Sequence, residues 1–559
     1  MQKKHWKRIG IVAAIILGWH FIIAALTWNA VRSLQLLDLQ RAQRSSFWAR
    51  QLLSPIDATL GWVSADIRTW SVSLQLLEHS AQLAQLSRDY IPNAFAGADS
   101  AKAQAQEVRQ LVGTLTVDLE TWLTTYSQSV VLPQLLGYRL RSTPLQSLLS
   151  DSARQMTRVN EVTAALDTLL QGKHRYIVLL QNSDELRPTG GFMGSYALVE
   201  LDQGAVTTFE IQDIYVPDGQ YQGFTQAPPG INEYLSSGKG LRLPDSNWNP
   251  DFPLATQEIS SFFALGGVND VEGVIALNLP VAEDLLRVLG PLHLPDYDQT
   301  VTAENLSILA RLDRDEFFPG SQQKRQFLQS LLTQVKISTT DLTPQQLTTI
   351  TEILRKAAHQ KNIQGYSTNP AVQAVIARNS ITGTLSTQRS PRYLFLVESN
   401  VGINKANRLV NREVLLNLQQ NTTSLTLQFK NKNPETSVKA ERGEYINYQR
   451  IFVPSNHRVH ELVVNGEVLT SWDEQLITTS QNEQLKQIGF LVTVPAESDA
   501  ECSVKFMHPE LPLRPLTLQK QSGLAPTIYQ VTTPSHTQTV LLEADTILSL
   551  DATIELEKE

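Results

Sequence analysis

The longest apolar run in the chain lies near its start. Residues Ile9–Trp28 (IGIVAAIILGWHFIIAALTW) include no Lys, Arg, Asp or Glu. As a helix this run would be about 30 Å long, the thickness of a bilayer core. Lys3, Lys4, Lys7 and Arg8 precede it, and basic residues favour the cytoplasmic side. The pattern predicts a cytoplasmic N-terminus at residues 1–8, a transmembrane anchor at residues 9–28 and the bulk of the chain outside the cytoplasm.

A cleaved signal peptide is the alternative explanation of the same run. The run is long, and it continues into Trp28 and Asn29 with no clear small-x-small cleavage site. The sequence therefore favours an uncleaved anchor whose ends are Ile9 and Trp28, in a single-pass protein of the cell membrane.

A helical pattern fills the next segment. Between residues 29 and 172, apolar residues recur at three- and four-residue spacing, for example in VSLQLLEHSAQLAQL, and Gly172 is placed to end the last helix. We expect residues 29–172 to form an extracytoplasmic helical stalk. The alternative is a surface that binds a partner membrane protein.

The remaining chain divides into three segments. Residues 173–340 alternate strand-like and helix-like runs, which predicts an α/β domain. Residues 341–390 are predicted as a helical connector. In residues 391–559, short runs of alternating and β-branched residues are separated by turns, as in an antiparallel β-sandwich. The predicted fold class is therefore α+β and multidomain.

Composition excludes several classes of function. The chain has 559 residues, too many for one ordinary core, and a net charge of -8. That charge gives no support to nucleic-acid binding, which needs a basic face. Its one cysteine, Cys502, excludes an intrachain disulfide and a Cys-cluster metal site. No HExxH, GxSxG or P-loop motif is present in a credible context.

The first candidate site is the turn Asp184–Gly191, which lies between two apolar runs. Backbone N–H groups at Gly190 and Gly191 are suited to an anion, and Arg187 is suited to a phosphate or carboxylate. The alternative is a turn that needs glycine for its geometry, with Arg187 bridging Asp184 or Glu185 at the surface.

Two further segments carry candidate ligand-binding residues. Asn247 and Asp251 lie in PDSNWNPDFP, a polar loop with an aromatic residue that leads into a helix and suits an anion or a sugar. Helix capping and Asx-turns explain the same residues without a ligand. Arg311 and Arg325 lie in basic clusters that suit a pyrophosphate, although a solvated helix face is the commoner origin of such charges.

Several segments resemble one family. QNSDELRPTGGFMGSYA, NWNPDFP, VEGVIALNLPVAEDLLRVLGPLHLPDY, ESNVGINKANRLVNREV and GEYINYQRIFVP occur in this order, and together they resemble the bacterial DUF4012 proteins, whose domain has no established function. The resemblance extends from about Lys173 to the C-terminus.

A more distant likeness is to the LytR-CpsA-Psr proteins, which implies an α/β domain of that type. The likeness also implies transfer of glycopolymers from a polyprenyl-pyrophosphate carrier, with Asp-bound Mg²⁺ and several arginines. Asp184 and Arg187 match one motif of that family, and Arg325-Gln326 match another. Where an Arg and a metal-binding Asp should begin the next strand, this chain has Phe192-Met193-Gly194, which puts the metal chemistry in doubt.

The sequence therefore favours a membrane-anchored cell-envelope protein that binds or organises an envelope glycopolymer or a lipid-linked precursor, with no predicted cofactor. One alternative is a phosphotransferase in which Asp184 holds Mg²⁺ and Arg187, Arg311 and Arg325 hold pyrophosphate. In that alternative Asp184 and Arg187 are the catalytic candidates. The other alternative is a scaffold for membrane protein partners.

Overall fold

The chain forms two compact units. The computed structural model describes residues 2–36, 38–61, 64–129, 152–309, 322–339, 342–386, 392–436, 443–510 and 515–550. The helical unit comprises Met1–His174 and Glu200–Thr208, and the mixed unit comprises Arg175–Val199 and Phe209–Glu559. The predicted domain boundaries at residues 173, 341 and 391 stay predictions.

Helices with apolar faces build the helical unit, as the three- and four-residue spacing predicts. They are α1 (Gln2–Gln35), α2 (Leu39–Leu60), α3 (Ala65–Phe95), α4 (Asp99–Gln128) and α5 (Ser152–Leu169). The first four pack each against the next along the chain. The start of α2 is capped by Asp38, whose carboxylate accepts a hydrogen bond from the backbone N–H of Arg41.

The predicted transmembrane anchor at residues 9–28 is wrong. Within the part of the chain that the structure describes, no helix combines the length and the apolar character needed to cross a membrane. Residues 9–28 form the middle of α1, so Ile9 and Trp28 are internal positions of a longer helix.

Packing within the helical unit buries one large apolar side chain of the described part of α1, whereas Trp19, Phe21, Ile22 and Trp28 are exposed. Ile23 is buried with Ala49 and Leu53 of α2 and Leu74 of α3. Polar contacts add to this core: the Trp19 indole N–H donates to the Leu52 carbonyl oxygen over 2.9 Å. An apolar helix face that packs in a bundle and an apolar membrane span give similar sequence patterns.

A five-stranded sheet organises the first part of the mixed unit. Its strand order is β3-β2-β1-β4-β7, and its strands are β1 (Lys173–Asn182), β2 (Phe192–Asp202), β3 (Ala205–Asp213), β4 (Gly273–Asn278) and β7 (Ile363–Ser367). β1 and β4 are parallel and β4 and β7 are antiparallel. Residues 341–390, predicted as a helical connector, thus also supply the edge strand β7.

Helices and short strands surround this sheet. They are α6 (Tyr215–Asp218), α7 (Ile231–Tyr234), a 3-10 helix (Leu243–Trp248), α8 (Phe252–Leu265), α9 (Leu279–Leu289), β5 (Leu292–Leu294), a 3-10 helix (Pro295–Tyr297), β6 (Gln299–Val301), α10 (Leu306–Leu309), α11 (Gln322–Thr339), α12 (Pro344–His359) and α13 (Pro370–Arg378). The apolar face of α8, including Ile259 and Phe263, packs in the same core as Ile177 of β1 and Tyr196 of β2.

Two larger sheets build the rest of the mixed unit around one shared apolar core. One has the order β13-β12-β16-β10-β9-β18-β19 and the other β14-β15-β11-β8-β17-β20. The strands are β8 (Arg392–Val397), β9 (Val410–Leu418), β10 (Thr422–Asn431), β11 (Tyr445–Pro454), β12 (Arg458–Val464), β13 (Glu467–Val468), β14 (Asp473–Thr478), β15 (Gln484–Val494), β16 (Asp499–Met507), β17 (Leu516–Gln519), β18 (Thr527–Thr532), β19 (Thr537–Leu542) and β20 (Thr546–Leu548), with a 3-10 helix (Ala406–Leu409) before β9.

The predicted sandwich is not wholly antiparallel. β17 pairs in parallel with β8, and β18 pairs in parallel with β9. The hydrophobic alternation of a strand shows which face is buried but not the direction of its neighbour, so the sequence could not reveal these two pairings.

A buried histidine pair predicts acid sensitivity. The rings of His457 and His508 lie 4.5 Å apart, and burial, with the nearby His508, lowers the pKa of His457 to about 3. In the unfolded chain the pKa of this histidine is about 6.5. Below that pH the unfolded chain binds a proton at the imidazole ring more readily than the folded chain does. We expect the stability of the mixed unit to fall as the pH drops from 6.5 towards 3, by up to about 1.4 kcal/mol per pH unit.

Urea unfolding of the wild type and of His457→Gln at several pH values checks this expectation. The free energy of unfolding of His457→Gln should depend less on pH than that of the wild type over the same interval. Equal slopes for the two proteins would contradict it.

Candidate functional site

Arg187, the arginine of the turn after β1, is buried and fully engaged. Its side chain is 1% exposed. Nε donates to Asp245 over 3.1 Å, Nη2 donates to Glu185 over 3.2 Å, and Nη1 donates to the Asn400 carbonyl oxygen over 2.6 Å. Burial alone would lower the pKa of Arg187, but the two carboxylates outweigh it and the pKa is raised. Arg187 therefore joins the turn to the loop before α8 and to the residues after β8.

Glycine is required in this turn by close packing. A Cβ atom at Gly191 would lie 2.4 Å from the backbone of Asn182, and φ at Gly190 is +130°. A Cβ at Gly190 would also lie within 2.7 Å of side-chain atoms of Asn278 and Ser522. These contacts support the geometric explanation of the two glycines that the sequence left open.

Asp184 is buried and faces an arginine. Its Oδ2 lies 3.6 Å from Nη1 of Arg408, whose Nη2 lies 3.5 Å from Glu283. Mg²⁺ prefers an octahedral set of oxygen ligands, and this donor set does not fit it because a guanidinium group faces both carboxylates. Within the described residues, no group of three or more His, Cys, Asp or Glu side chains is placed to hold a metal ion.

The loop before α8 contacts the turn at residues 184–191, which we call the glycine turn. Asn247 is fully buried, and its Nδ2 donates to Thr189 Oγ1 over 2.8 Å and to the Gly191 carbonyl oxygen over 2.9 Å. Two of the segments that the sequence singled out therefore pack together. Their contact is closed and fixed by hydrogen bonds, so Asn247 positions the loop.

Asp251 is the N-cap residue of α8, but its side chain does not form a capping hydrogen bond. Its carboxylate accepts hydrogen bonds from the backbone N–H and the hydroxyl of Ser480, each over 2.8 Å. Burial raises the pKa of Asp251. The residue links the start of α8 to the turn between β14 and β15.

Two of the three arginines of the predicted pyrophosphate site, Arg187 and Arg325, lie among the described residues. Arg325 is exposed on α11, whereas Arg187 is buried. Arg311 lies outside the residues that the structure describes. The predicted pyrophosphate site therefore stays a prediction.

The loop before α8, which contains Trp248, also lines a cavity of about 570 Å³. We call it the Trp248 cavity. Its walls come from the segment before and within α7, from the loop and start of α8, and from β11, β14 and β15; they comprise Gln226, Ala227, Pro228, Pro229, Asn232, Glu233, Trp248, Asn249, Pro250, Asp251, Leu254, Glu258, Arg450, Gln475, Ile477, Thr478 and Gln487. This volume is within the range of about 300–1,000 Å³ that is usual for ligand sites.

Aromatic and cationic side chains form one wall of the Trp248 cavity. The Trp248 ring stacks on Tyr448 with centroids 5.8 Å apart, and the Arg450 guanidinium lies 4.6 Å from the Trp248 ring centroid. The Trp248 indole N–H donates to the Pro229 carbonyl oxygen over 3.1 Å. These contacts fix the position of the ring.

Arg450 differs from Arg187 in having no charged partner. It is 2% exposed, and its Nη2 donates to the Trp248 carbonyl oxygen over 2.9 Å. Its Nε has no hydrogen-bond partner, and no carboxylate in the described part of the chain forms an ion pair with it. Burial lowers the pKa of Arg450 to about 10, so it is still charged at neutral pH.

Carboxylates and amides complete the wall of the cavity. Glu233 accepts a hydrogen bond from the Gly230 backbone N–H over 2.6 Å, and burial raises the pKa of Glu258. Five amide side chains also line the cavity: Gln226, Asn232, Asn249, Gln475 and Gln487. Amides both donate and accept hydrogen bonds, so this wall is suited to a ligand rich in hydroxyl groups.

The sequence analysis missed Arg450 although a signal was present. Tyr448, Arg450 and Phe452 occupy alternate positions of β11 and therefore lie on one face of the strand. All three are buried. A charged residue between two aromatic residues on a buried face is unusual, and this pattern within GEYINYQRIFVP marks the position.

Comparisons with known proteins give one family match and several weak structural likenesses. Lin1025 of Listeria innocua (13% identity, TM-score 0.23, 38% of this chain and 80% of that one) is one of these structures. Another is gbs0355 of Streptococcus agalactiae (11% identity, TM-score 0.25, 38% of this chain and 74% of that one). A third is TagV of B. subtilis (11% identity, TM-score 0.24, 38% of this chain and 80% of that one). At these TM-scores the likenesses carry no argument about this chain.

No curated protein matches the chain. The sequence profile of DUF4012, described as a protein of unknown function, matches residues 171–313. This segment includes the glycine turn and the loop that lines the Trp248 cavity. The resemblance predicted from QNSDELRPTGGFMGSYA is confirmed, because the DUF4012 model matches the segment that contains it.

Proposed function

We propose that the protein binds a glycan of the bacterial cell envelope in the Trp248 cavity. The observation that carries this proposal is the composition of the cavity, in which a fixed Trp ring lies among five amide side chains and three carboxylates. Hydroxyl groups of a sugar need partners that both donate and accept, and amides and carboxylates supply them. Trp248 itself is 3% exposed, with Tyr448 and Arg450 against its ring, so its role is to hold the wall in place while the polar side chains contact the sugar.

The cavity is built on rigid elements, which favours binding. Trp248 is held by Tyr448, Arg450 and the Pro229 carbonyl, and Asp251 is held by Ser480. A site whose side chains are already ordered loses less conformational entropy when a ligand binds. The assignment to an envelope glycan rests on the sequence resemblance to LytR-CpsA-Psr proteins, since the cavity itself is compatible with other glycans.

The transferase alternative has less support from the geometry. The guanidinium of Arg187 already donates to two carboxylates and to a carbonyl, so few of its donors are left for a pyrophosphate. Asp184 faces Arg408. For these reasons we place the ligand in the Trp248 cavity and not in the glycine turn.

Substitutions at the exposed rim of the cavity test the proposal without disturbing the core. Asn232 and Gln475 are both exposed cavity residues. We expect Asn232→Ala combined with Gln475→Ala to weaken glycan binding about tenfold, because each loses a hydrogen-bonding amide. Isothermal titration with oligosaccharides released from bacterial cell walls gives the affinities.

Asn417→Ala is the matched control, because Asn417 is an exposed amide on β9 that does not line the cavity. It should bind as the wild type does. The proposal fails if no cell-wall oligosaccharide binds, or if the rim variant and the control bind equally well.

A further inference from the structure

We infer that the Trp248 cavity selects a sugar with a single anionic group, a carboxylate or a phosphate, and that Arg450 binds that group. This inference rests on the proposed function and names the class of glycan. It starts from the difference between Arg450 and two other arginines of the mixed unit with buried side chains, Arg187 and Arg412.

Both Arg187 and Arg412 are neutralised within the protein. Arg187 pairs with Glu185 and Asp245, and Arg412 donates from Nε to both carboxylate oxygens of Glu398, over 2.6 and 2.8 Å. A buried charge is costly unless it is paired and hydrogen-bonded. Arg450 is as deeply buried but has neither an ion pair with a described residue nor a partner for Nε.

The position of Arg450 allows a ligand to supply the missing partner. Arg450 lines the cavity together with Trp248, so a ligand bound there lies next to this side chain. This group presents five N–H donors in a planar fork that matches the two oxygens of a carboxylate or phosphate. An anionic group there would provide the partner that Glu398 provides for Arg412.

Arg450 is also held in place before any ligand arrives. Its guanidinium carbon lies 4.6 Å from the Trp248 ring centroid and 5.9 Å from that of Phe452. Nη2 is fixed by the Trp248 carbonyl. Since the long side chain is already ordered, little rotamer entropy remains to be lost when the anion binds.

The carboxylates of the cavity limit the charge of the ligand. Asp251, Glu233 and Glu258 line the same space, and like charges repel strongly at short range in a partly buried site. A ligand with one anionic group can place it against Arg450 and turn hydroxyl groups towards the carboxylates. A polyanion would meet the carboxylates as well, so the geometry favours a monoanionic sugar unit among neutral ones.

A change in the ligand tests this inference with the wild-type protein. The probes are an oligosaccharide with one glucuronate unit, its carboxyl-reduced neutral counterpart and the counterpart with one singly charged 6-(methyl phosphodiester). We expect at least one anionic form to bind about tenfold or more tightly than the neutral form, because hydrogen bonds to charged groups are the stronger ones. Comparison of the two anionic forms distinguishes carboxylate from phosphate.

Variants of Arg450 complete the test. Arg450→Gln should reduce the affinity for the preferred anionic form to that for the neutral form, and Arg450→Lys should restore part of the difference, since it keeps the charge but not the fork. Arg287→Gln, at an exposed arginine on α9, should leave the selectivity unchanged. Thermal unfolding of each variant verifies that it is folded.

The outcomes separate this inference from the proposed function. Equal affinity of the wild type for neutral and anionic forms overturns the role of Arg450 but leaves glycan binding intact. Tighter binding of a fully uronic oligosaccharide than of the form with one uronate contradicts the monoanion preference. If no form binds, both the inference and the proposed function are wrong.

Discussion

Replacement of Arg187 by methionine is expected to lower the free energy of unfolding of the mixed unit by about 3–5 kcal/mol, the usual effect of breaking a buried ion pair. The variant leaves Glu185 and Asp245 without the guanidinium that they share. It also removes the hydrogen bond to the Asn400 carbonyl oxygen. Each lost partner leaves a polar group that is costly to bury.

Urea unfolding followed by tryptophan fluorescence measures this change. Arg287→Met is the matched control, because Arg287 also contacts two carboxylates, Asp284 and Glu304, but all three side chains are exposed, by 52%, 38% and 75%. An exposed ion pair contributes about 0–1 kcal/mol, so the control should lose far less stability. If Arg187→Met loses less than about 1 kcal/mol, the turn is not the structural centre that its contacts indicate.

Gly191→Ala is expected to destabilise the mixed unit by about 3 kcal/mol or more, which is the upper part of the range for overpacking. The new Cβ atom would lie 2.4 Å from the carbonyl carbon and oxygen of Asn182 and 2.7 Å from the backbone nitrogen of Ser183. These are backbone atoms, so the clash cannot be relieved by turning a side chain. The turn itself must move, together with its contact to Asn247.

Gly365→Ala is the control for this second prediction. A Cβ atom there would meet Ile376 at 3.6 Å, an ordinary contact, and alanine restricts the unfolded chain more than glycine does. We expect its midpoint in a thermal unfolding experiment to match the wild type or exceed it. A melting curve of Gly191→Ala that superimposes on that of Gly365→Ala would contradict the packing argument.

Local patterns in the sequence predicted much of the secondary structure. The strand, polar turn and strand around residues 173–202 are present as β1, the glycine turn and β2. The short alternating runs after residue 391 form the two large sheets. These features depend on neighbouring residues, and hydrophobic periodicity reports them directly.

The environment of the charged residues could not be predicted in the same way. An arginine in a polar turn is normally exposed, and only the tertiary structure brings Asn400 and Asp245 to Arg187. The Trp248 cavity likewise depends on contact between Trp248 and Arg450, which are far apart in the sequence. No local pattern reports such a contact.

The apolar run at residues 9–28 illustrates a different limit. Its composition agrees with a membrane span and with a helix packed against others, since both bury apolar residues. Among its described side chains, Ile23 packs on Ala49, Leu53 and Leu74. They lie on other helices, so the run alone could not reveal them.

The structure gives the two candidate segments different roles. The glycine turn at residues 184–191 is closed by buried hydrogen bonds and acts as a support. The loop at residues 245–251 is tied to this support through Asp245 and Asn247, and it presents Trp248, Asn249 and Asp251 to the cavity. Binding is therefore assigned to the loop.

Titration of the wild type and of the Asn232→Ala/Gln475→Ala variant with the same cell-wall oligosaccharides tests the central claim most directly. We expect the wild type to bind the oligosaccharides saturably, the rim variant to bind them about tenfold more weakly, and Asn417→Ala to bind them as the wild type does. Equal binding by all three proteins would place the glycan elsewhere, and the absence of binding to the wild type would show that the Trp248 cavity is not a glycan site.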